Sequence, residues 1–448
     1  MSAVAILAPA RRYFATPADL LLDIPLRLLH AWASVPVLMF LLALTAMLFR
    51  PPDLKAFPVD RVAFLLLIGC VALRSSIQRE RLRSDPATWP LLALSLLGIW
   101  GLTGGPYQPQ SWSLLAAKWI VPLALFHAAG VVFTDQNSLR KLELFCLAVL
   151  LYLSMISVFF LFGAESLIFP RFILDAGIGI HADRARGPFL QAVANGVSLN
   201  MLGLIAVDSF RRQRLPRSVA AVLFLAVPLA LLATKTRAVW ISASFSIGAP
   251  ILYCRNRRLR RAALALCVLG LTGLLLLLAH RLNSRDFSER LLDKSPVDFR
   301  TEIYQAGWQM FMEKPLLGWG ADSSVQSEVA RRISDFHPDY YVFHNTFLEL
   351  AVGRGLVGLG LYAWLILCLF RLGRPPTSGV NGPAHFMDRE FRKLWPIVLG
   401  AYLINASAVV MNYQFVNGLV FTVAGILAAQ NCRNIEQQLR QPAAGRIP

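Results

Sequence analysis

The chain is built from long apolar runs separated by short polar ones. Runs of about 17–25 residues suffice to cross a hydrocarbon core as helices. They recur at 28–49, 59–78, 88–104, 113–133, 141–163, 188–209, 217–234, 236–254, 262–280, 343–371, 394–411 and 414–431. The pattern predicts an all-α polytopic membrane protein with about 12 transmembrane helices. The 217–254 stretch also fits one re-entrant unit, and only Asn412 and Tyr413 separate the last two runs. Arg11 and Arg12 precede a first run that is too long for the core of a signal peptide. It lacks a small-residue cleavage site, so it reads as a retained span.

One polar stretch is too long to be a turn. It predicts a large structured periplasmic loop at 281–342, between spans 9 and 10, and divides the chain into 1–280 (spans 1–9), 281–342 (a helical cap) and 343–448 (spans 10–12 and a tail). Within the cap, Ser295-Pro296-Val297-Asp298 reads as a helix start, with a capping hydroxyl, proline at the first helical position and an acid near the positive dipole end. Phe299, Ile303, Met310 and Phe311 follow at helical spacing, and Pro315 ends the helix. Trp308, Phe311 and Trp319 suit a membrane interface, so the cap is expected to lie on the outer leaflet. A shorter outer loop, 164–187, holds Arg171, His181, Arg184 and Arg186, and 372–393, which includes His385, has the composition of a linker.

Charge sets the orientation. Lys and Arg total 44 against 26 Asp and Glu, a net +18. The excess gathers in alternate loops such as Arg79-Arg83, Arg211-Arg217 and Arg255-Arg261, which the positive-inside rule places in the cytoplasm together with both termini. The basic balance therefore answers to anionic lipid and topology rather than to nucleic acid. Six cysteines fall in spans or on the cytoplasmic side, so they imply neither a disulfide framework nor a metal site. Acids are scarce inside the spans, which argues against a proton-coupled transporter. With no Asp-x-Asp motif on the outer face and no Walker A loop, divalent-metal glycosyl transfer and nucleotide-driven transport are also disfavoured.

Against this background, a few polar residues at the outer ends of apolar runs draw notice. His344-Asn345 heads the tenth run, where the helix dipole disfavours imidazolium, so a neutral ring could accept a proton from a hydroxyl. Asn345 or Thr346 could cap the helix or orient the ring, and Glu349 could pair with an arginine or with the histidine. Arg186 lies before Gly187-Pro188, where Pro188 can open the next helix; Arg237 lies in a tight turn, and Arg300 lies early in the cap helix. Guanidinium forks bind phosphate bidentately and hold their charge. A lone histidine here more often anchors a helix, and a lone arginine more often snorkels. Their occurrence on one face favours a site for an anionic lipid-linked substrate. Gly353, Gly355, Gly358 and Gly360 give the tenth span a smooth face for packing.

In order along the chain stand Arg186-Gly187-Pro188-Phe189 with Asn195, Thr236-Arg237, Arg300-Thr301-Glu302-Ile303-Tyr304, Pro315-Leu316-Leu317-Gly318-Trp319-Gly320, and His344-Asn345 with Gly355 and Gly358. Over about 170–372 this series resembles the O-antigen ligase/polymerase superfamily of bacterial envelope glycosyltransferases. Leu359 departs from the small or polar residue that often follows the last glycine of that pattern. The resemblance implies metal-independent, cofactor-free sugar transfer at the periplasmic face of the inner membrane. The donor would be a polysaccharide on undecaprenyl diphosphate and the acceptor a sugar hydroxyl of lipid A–core. His344 would act as base, with Arg186 and Arg237 at the reacting centre. Arg300, Asn345, Arg184 and His337 would bind substrate, His337 also being a rival base. A chain polymerase, a protein O-oligosaccharyltransferase and, outside enzymes, a lipid-linked oligosaccharide flippase are the alternatives.

Overall fold

The computed structural model describes residues 29–51, 57–78, 84–252, 295–320, 322–333, 343–374 and 386–440. Every regular element among these residues is helical. In chain order they are α1 (Pro36–Phe49), α2 (Val59–Gln78), α3 (Thr88–Thr103), α4 (Pro109–Val132), α5 (Gln136–Leu161), α6 (Ala192–Arg211) and α7 (Arg217–Ala233). Then come α8 (Arg237–Leu252), α9 (Ser295–Glu313), α10 (Asp322–Ala330), α11 (Thr346–Arg371), α12 (Arg389–Ala406) and α13 (Gln414–Arg440).

Five of these helices are long and apolar enough to cross a membrane: α4, α5, α6, α11 and the Gln414–Arg433 part of α13. The helices α1, α3 and α7 are apolar but shorter. Twelve spans are therefore not reached among the described residues, and the run at 262–280 lies outside them. The described part of the 217–254 stretch, 217–252, forms two helices joined by a three-residue turn with Lys235 in a left-handed conformation. The expected 394–411 span begins earlier, at Arg389, because Asp388 caps it by accepting hydrogen bonds from the Glu390 and Phe391 amides. Residues 407–413 then leave the helix before α13. Pro188 does not open α6; it sits in a 3₁₀ turn (Gly187–Phe189), and α6 starts at Ala192.

The polar contacts sort the bundle into two ends. At one end the start of α5 meets the end of α6 through Glu143 and Arg212, and Arg211 reaches Asp388 at the start of α12. Arg392 bonds Asn431 and Gln430 near the end of α13, and Arg433 bonds carbonyls at the end of α4. The opposite end gathers the end of α5, the starts of α6, α8, α11 and α13, and the cap. There Tyr152 Oη donates to the Phe169 carbonyl, and Thr346 Oγ1 donates to that of Val409. All described candidate residues fall at this second end.

The cap has its own small core of Ile303, Ala306, Met310, Val325, Val329, Ile333 and Phe343. Its helix α9 runs Ser295–Glu313, close to the span expected from the sequence. Trp308 is exposed, whereas Trp319 is partly buried against the cap. Its Nε1 donates to the Met310 carbonyl at 2.8 Å, and Lys314 Nζ stands 3.7 Å over its ring.

Rather than standing apart from the bundle, α9 descends alongside α11. Tyr304 meets His344, Gly307 lies against Phe343 and Leu348, and the segment after α9 reaches Val352–Val357. That segment, residues 315–320, docks into a break in α11. Gly355 takes φ 62° and ψ −160°, which only glycine adopts readily, and a side chain there would collide with the Leu316 carbonyl. The interruption leaves amides and carbonyls for the strap. Leu356 N donates to Pro315 O at 2.7 Å and Val357 N to Leu316 O at 3.2 Å, while Trp319 N donates to Val352 O at 2.9 Å and Gly320 N to Gly353 O at 3.1 Å. Non-helical backbone is tolerated beside a span only when paired in this way. Gly353 and Gly355 thus do more than smooth a helix face: they accept the strap.

Candidate functional site

The site is built at the entry to α11. Asn345 is the N-cap, its Oδ1 accepting from the Phe347 amide at 2.9 Å and the Leu348 amide at 3.2 Å. The preceding residue, His344, takes a left-handed backbone with φ 50°. Its carbonyl accepts from Tyr304 Oη at 3.3 Å, tying the cap helix to the histidine's own peptide. Thr346 Oγ1 donates to Val409 O and accepts from the Met411 amide, each at 2.9 Å, anchoring this corner to the turn before α13. Asn345, expected to bind substrate, has its carbonyl oxygen engaged as the helix cap.

The second wall is the loop between α5 and α6. Arg186 is 1% exposed, and its fork donates to three carbonyls of that loop: Nε to Ile173 at 2.9 Å, Nη1 to Ile178 at 2.6 Å, and Nη2 to Asp175. In this arrangement Arg186 organises the loop. Asn195 Nδ2 ties the loop down by donating to the Ala185 carbonyl and to Ser157 Oγ, each at 2.9 Å. The Ala185 amide donates to Ala233 O at 3.0 Å, which sets the Thr234-Lys235-Thr236-Arg237 turn beside the loop. Arg237, expected within that turn, is the exposed first residue of α8.

Arg184 differs from its neighbour. A turn in which the Arg184 amide donates to His181 O at 3.1 Å presents it, and its buried Nε has no hydrogen-bond partner. Burial and then the nearby Arg300 guanidinium lower its pKa. Burial, then Arg300, then His181 push His344 down to about 4, so the imidazole is neutral at pH 7. His344, Arg300, Arg184 and His181 are therefore one electrostatic constellation. Among the described residues neither Arg184 nor Arg300 has a carboxylate at ion-pairing distance. Arg237 is not among the charges acting on either shifted group, and His337 lies outside the described residues. Nor do the described residues gather three or more His, Cys, Asp or Glu side chains able to hold a metal ion.

Glu349 pairs with neither an arginine nor the histidine. It forms an ion pair with Lys118, whose side chain is 10% exposed, on a π-helical turn (Ala116–Ile120) within α4.

Residues 219–363 match the family model described as O-antigen ligase. The match supports the O-antigen ligase superfamily for this chain. The matched segment runs from α7 into α11 and so carries Arg237, Arg300, the strap, His344 and Asn345. Arg184, Arg186 and His181 precede it and join the O-antigen ligase segment in space through the Ala185–Ala233 hydrogen bond. A comparison with curated proteins finds no match.

From sequence, Tyr304 stood at the end of the Arg300–Tyr304 series without a role, and Lys118 was passed over. Tyr304 sits four residues beyond Arg300, on the same helix face, a spacing that could have given it a role. Lys118 could have been found as the lone cation facing the lone acid of α11; the π turn that aims it leaves no sequence mark.

Proposed function

We propose that the protein is a glycosyltransferase that moves O-antigen polysaccharide from undecaprenyl diphosphate to a sugar hydroxyl of lipid A–core, without metal or nucleotide, at the periplasmic face of the inner membrane. The observation that carries this reading is a neutral imidazole in the field of Arg300, which also acts on Arg184, with no carboxylate ion-paired to either arginine among the described residues, all at one end of a helical bundle. The family match supports the general class of reaction, with a lipid-linked glycan and a lipid acceptor as its substrates.

In the proposed step, His344 accepts the proton of the acceptor hydroxyl as its oxygen forms a bond to the anomeric carbon. The bond from that carbon to the phosphate oxygen breaks with its electron pair, releasing undecaprenyl diphosphate, and the anomeric configuration inverts. Arg184 and Arg300 hold the diphosphate and stabilise the charge it gains. Arg237 guides the headgroup from the rim. Arg186 serves by fixing the loop that carries Arg184. Arrival of a diphosphate between the arginines adds negative charge near His344 and raises its proton affinity when a base is needed. A flippase would need its cations reachable from both faces, whereas this cluster stands at one end.

The test supplies purified protein with undecaprenyl-diphosphate glycan and lipid A–core, without metal or nucleotide. Acceptor-linked glycan is expected, lowered about 10²–10⁴-fold by His344→Ala. Lengthening of the donor with no transfer to lipid A–core would replace the ligase reading by a polymerase. Undiminished transfer by His344→Ala would remove this base.

A further inference from the structure

We propose that Arg354 of α11 is a positioning residue for the site. By bracing the strap at 315–320 against α3, it fixes the register in which the cap helix α9 holds Tyr304 on the peptide of His344. One part of this, its effect on transfer, rests on the glycosyl-transfer reading above.

A guanidinium within an apolar helix is costly unless something there needs it. Arg354 stands about 12 Å along α11 from Thr346, inside a helix long and apolar enough to cross a membrane. Three elements meet on it. Its Nη1 donates to the Gly320 carbonyl of the strap at 3.1 Å, and its Nη2 to the Gly98 carbonyl of α3 at 3.5 Å. The fork fills the space that Gly101 leaves on α3, where a Cβ would lie 1.9 Å from Nη1. The strap presses as closely on the backbone: a Cβ on Gly318 would lie 2.6 Å from the Arg354 amide nitrogen. The Gly320 amide donates to Gly353 O, so α11 holds both polar groups of that glycine. The other strap bonds reach α11 through its backbone, and Arg354 adds the tie to α3. What the strap holds in turn is the cap. Trp319 Nε1 donates to Met310 O at 2.8 Å, near the end of α9. Gly307 lets α9 close on α11, since a Cβ there would lie 2.8 Å from the Phe343 ring and 3.0 Å from Leu348 Cδ2. Tyr304 Oη then reaches the His344 carbonyl at 3.3 Å. Arg300, one turn earlier on α9, rides on the same face. Arg354 therefore acts on the imidazole through the strap and the cap, without touching it.

Full-length protein in nanodiscs would be made as wild type, Arg354→Met, Arg354→Lys and Gly101→Leu. Methionine suits an apolar helix and removes the fork, while leucine on α3 displaces the fork from the opposite side. A folded variant is thus available from either element, and the melting temperature identifies it. Hydrogen exchange at the Trp319 and Gly320 amides is expected to quicken about ten-fold in Arg354→Met and Gly101→Leu, the loss of one hydrogen bond to a charged group. Diethyl pyrocarbonate modifies the neutral imidazole, so its rate at His344 against pH reads that residue's proton affinity without any substrate. The midpoint is expected to rise from about 4 towards 6.5 as the cap and Arg300 recede, a change that a merely structural residue would not cause. Transfer to lipid A–core should fall about 10²-fold with the displaced base. Arg354→Lys keeps the charge but reaches one carbonyl at a time, so its midpoint should lie between. A wild-type midpoint in both Arg354→Met and Gly101→Leu would overturn the assignment, whatever the strap amides do, and leave the glycosyl-transfer reading intact. If the midpoint moves as expected while even the wild type transfers nothing, the positioning of His344 stands and the glycosyl-transfer reading falls.

Discussion

The two polar ends of the bundle use arginine in opposite ways. At the Arg212 end the charges are answered from within the chain. Arg212, 2% exposed at its side chain, engages Glu143 and Asp208, and Arg211 engages Asp208 and Asp388. The buried Arg392 has no ion pair among the described residues but donates to the Leu372 carbonyl and to the side chains of Asn431 and Gln430. At the His344 end Arg186 is likewise satisfied, but the Arg300 charge acts on both Arg184 and His344, and neither arginine has an ion-paired carboxylate among the described residues. Like charges brought together inside a fold are held against their own repulsion and are relieved by an anion. The first end completes itself, whereas the second is the one where the proposed anionic ligand would find uncompensated charge.

The largest effect expected from this difference is on stability at the closed end. Glu143→Ala should leave Arg212 with half its partners in a buried setting, at a cost of about 3–5 kcal/mol. Thermal unfolding in detergent checks it. Arg184→Ala should cost nothing there, since it removes a repulsion. A loss of stability from Arg184→Ala as large as that from Glu143→Ala would erase the distinction between the ends.

Ligand binding should show the reverse. Arg184→Ala and Arg300→Ala are each expected to weaken undecaprenyl diphosphate by about 1.5–3 kcal/mol, the value of a hydrogen bond to a charged group. Glu143→Ala should leave the affinity of the folded fraction unchanged. Isothermal titration of the three variants makes the comparison, and equal affinity for the arginine variants and wild type would show that the open cluster binds something else.

How much of this was legible in the sequence depends on the range of the forces involved. The helical class, the start and stop of α9, and the gathering of polar candidates at one end follow from hydropathy, capping and charge, which act locally or through the membrane. The division of labour among the arginines was not legible, because Arg184 and Arg186 are two residues apart and read alike. Only the fold shows that Ile173, Asp175 and Ile178 turn their carbonyls toward Arg186 and leave the Nε of Arg184 bare. The same holds for Gly355. A row of glycines in an apolar run predicts close packing, but that one of them interrupts the helix to receive residues 315–320 depends on a segment some forty positions away. Asn345 lay between these cases, since asparagine before an apolar run is a cap signal as well as a polar candidate. Asn345→Ala should cost about 1 kcal/mol of stability and reduce transfer only as far as it loosens His344. If transfer falls as far as in His344→Ala while the melting temperature holds, the amide contacts substrate.

The smallest expected effect is also the most specific to the open end. His344 has its pKa lowered from 6.5 to about 4 by burial first, then by Arg300 and His181. The unfolded chain takes up this proton near pH 6.5 and the folded chain only near 4, so stability falls as pH drops through that window. A base must be neutral to act. The acid limb of kcat/KM, which reports the free enzyme, is therefore expected near pH 4 instead of 6.5. Arg300→Ala takes away a neighbouring cation, which raises the proton affinity of the imidazole and moves the limb towards neutral pH. Because burial is the larger cause, the limb should stop short of 6.5. An equivalent change at the closed end, Arg211→Ala, should leave the limb where it is. If Arg300→Ala fails to move the limb, or Arg211→Ala moves it equally, the field at His344 is not set by the open cluster.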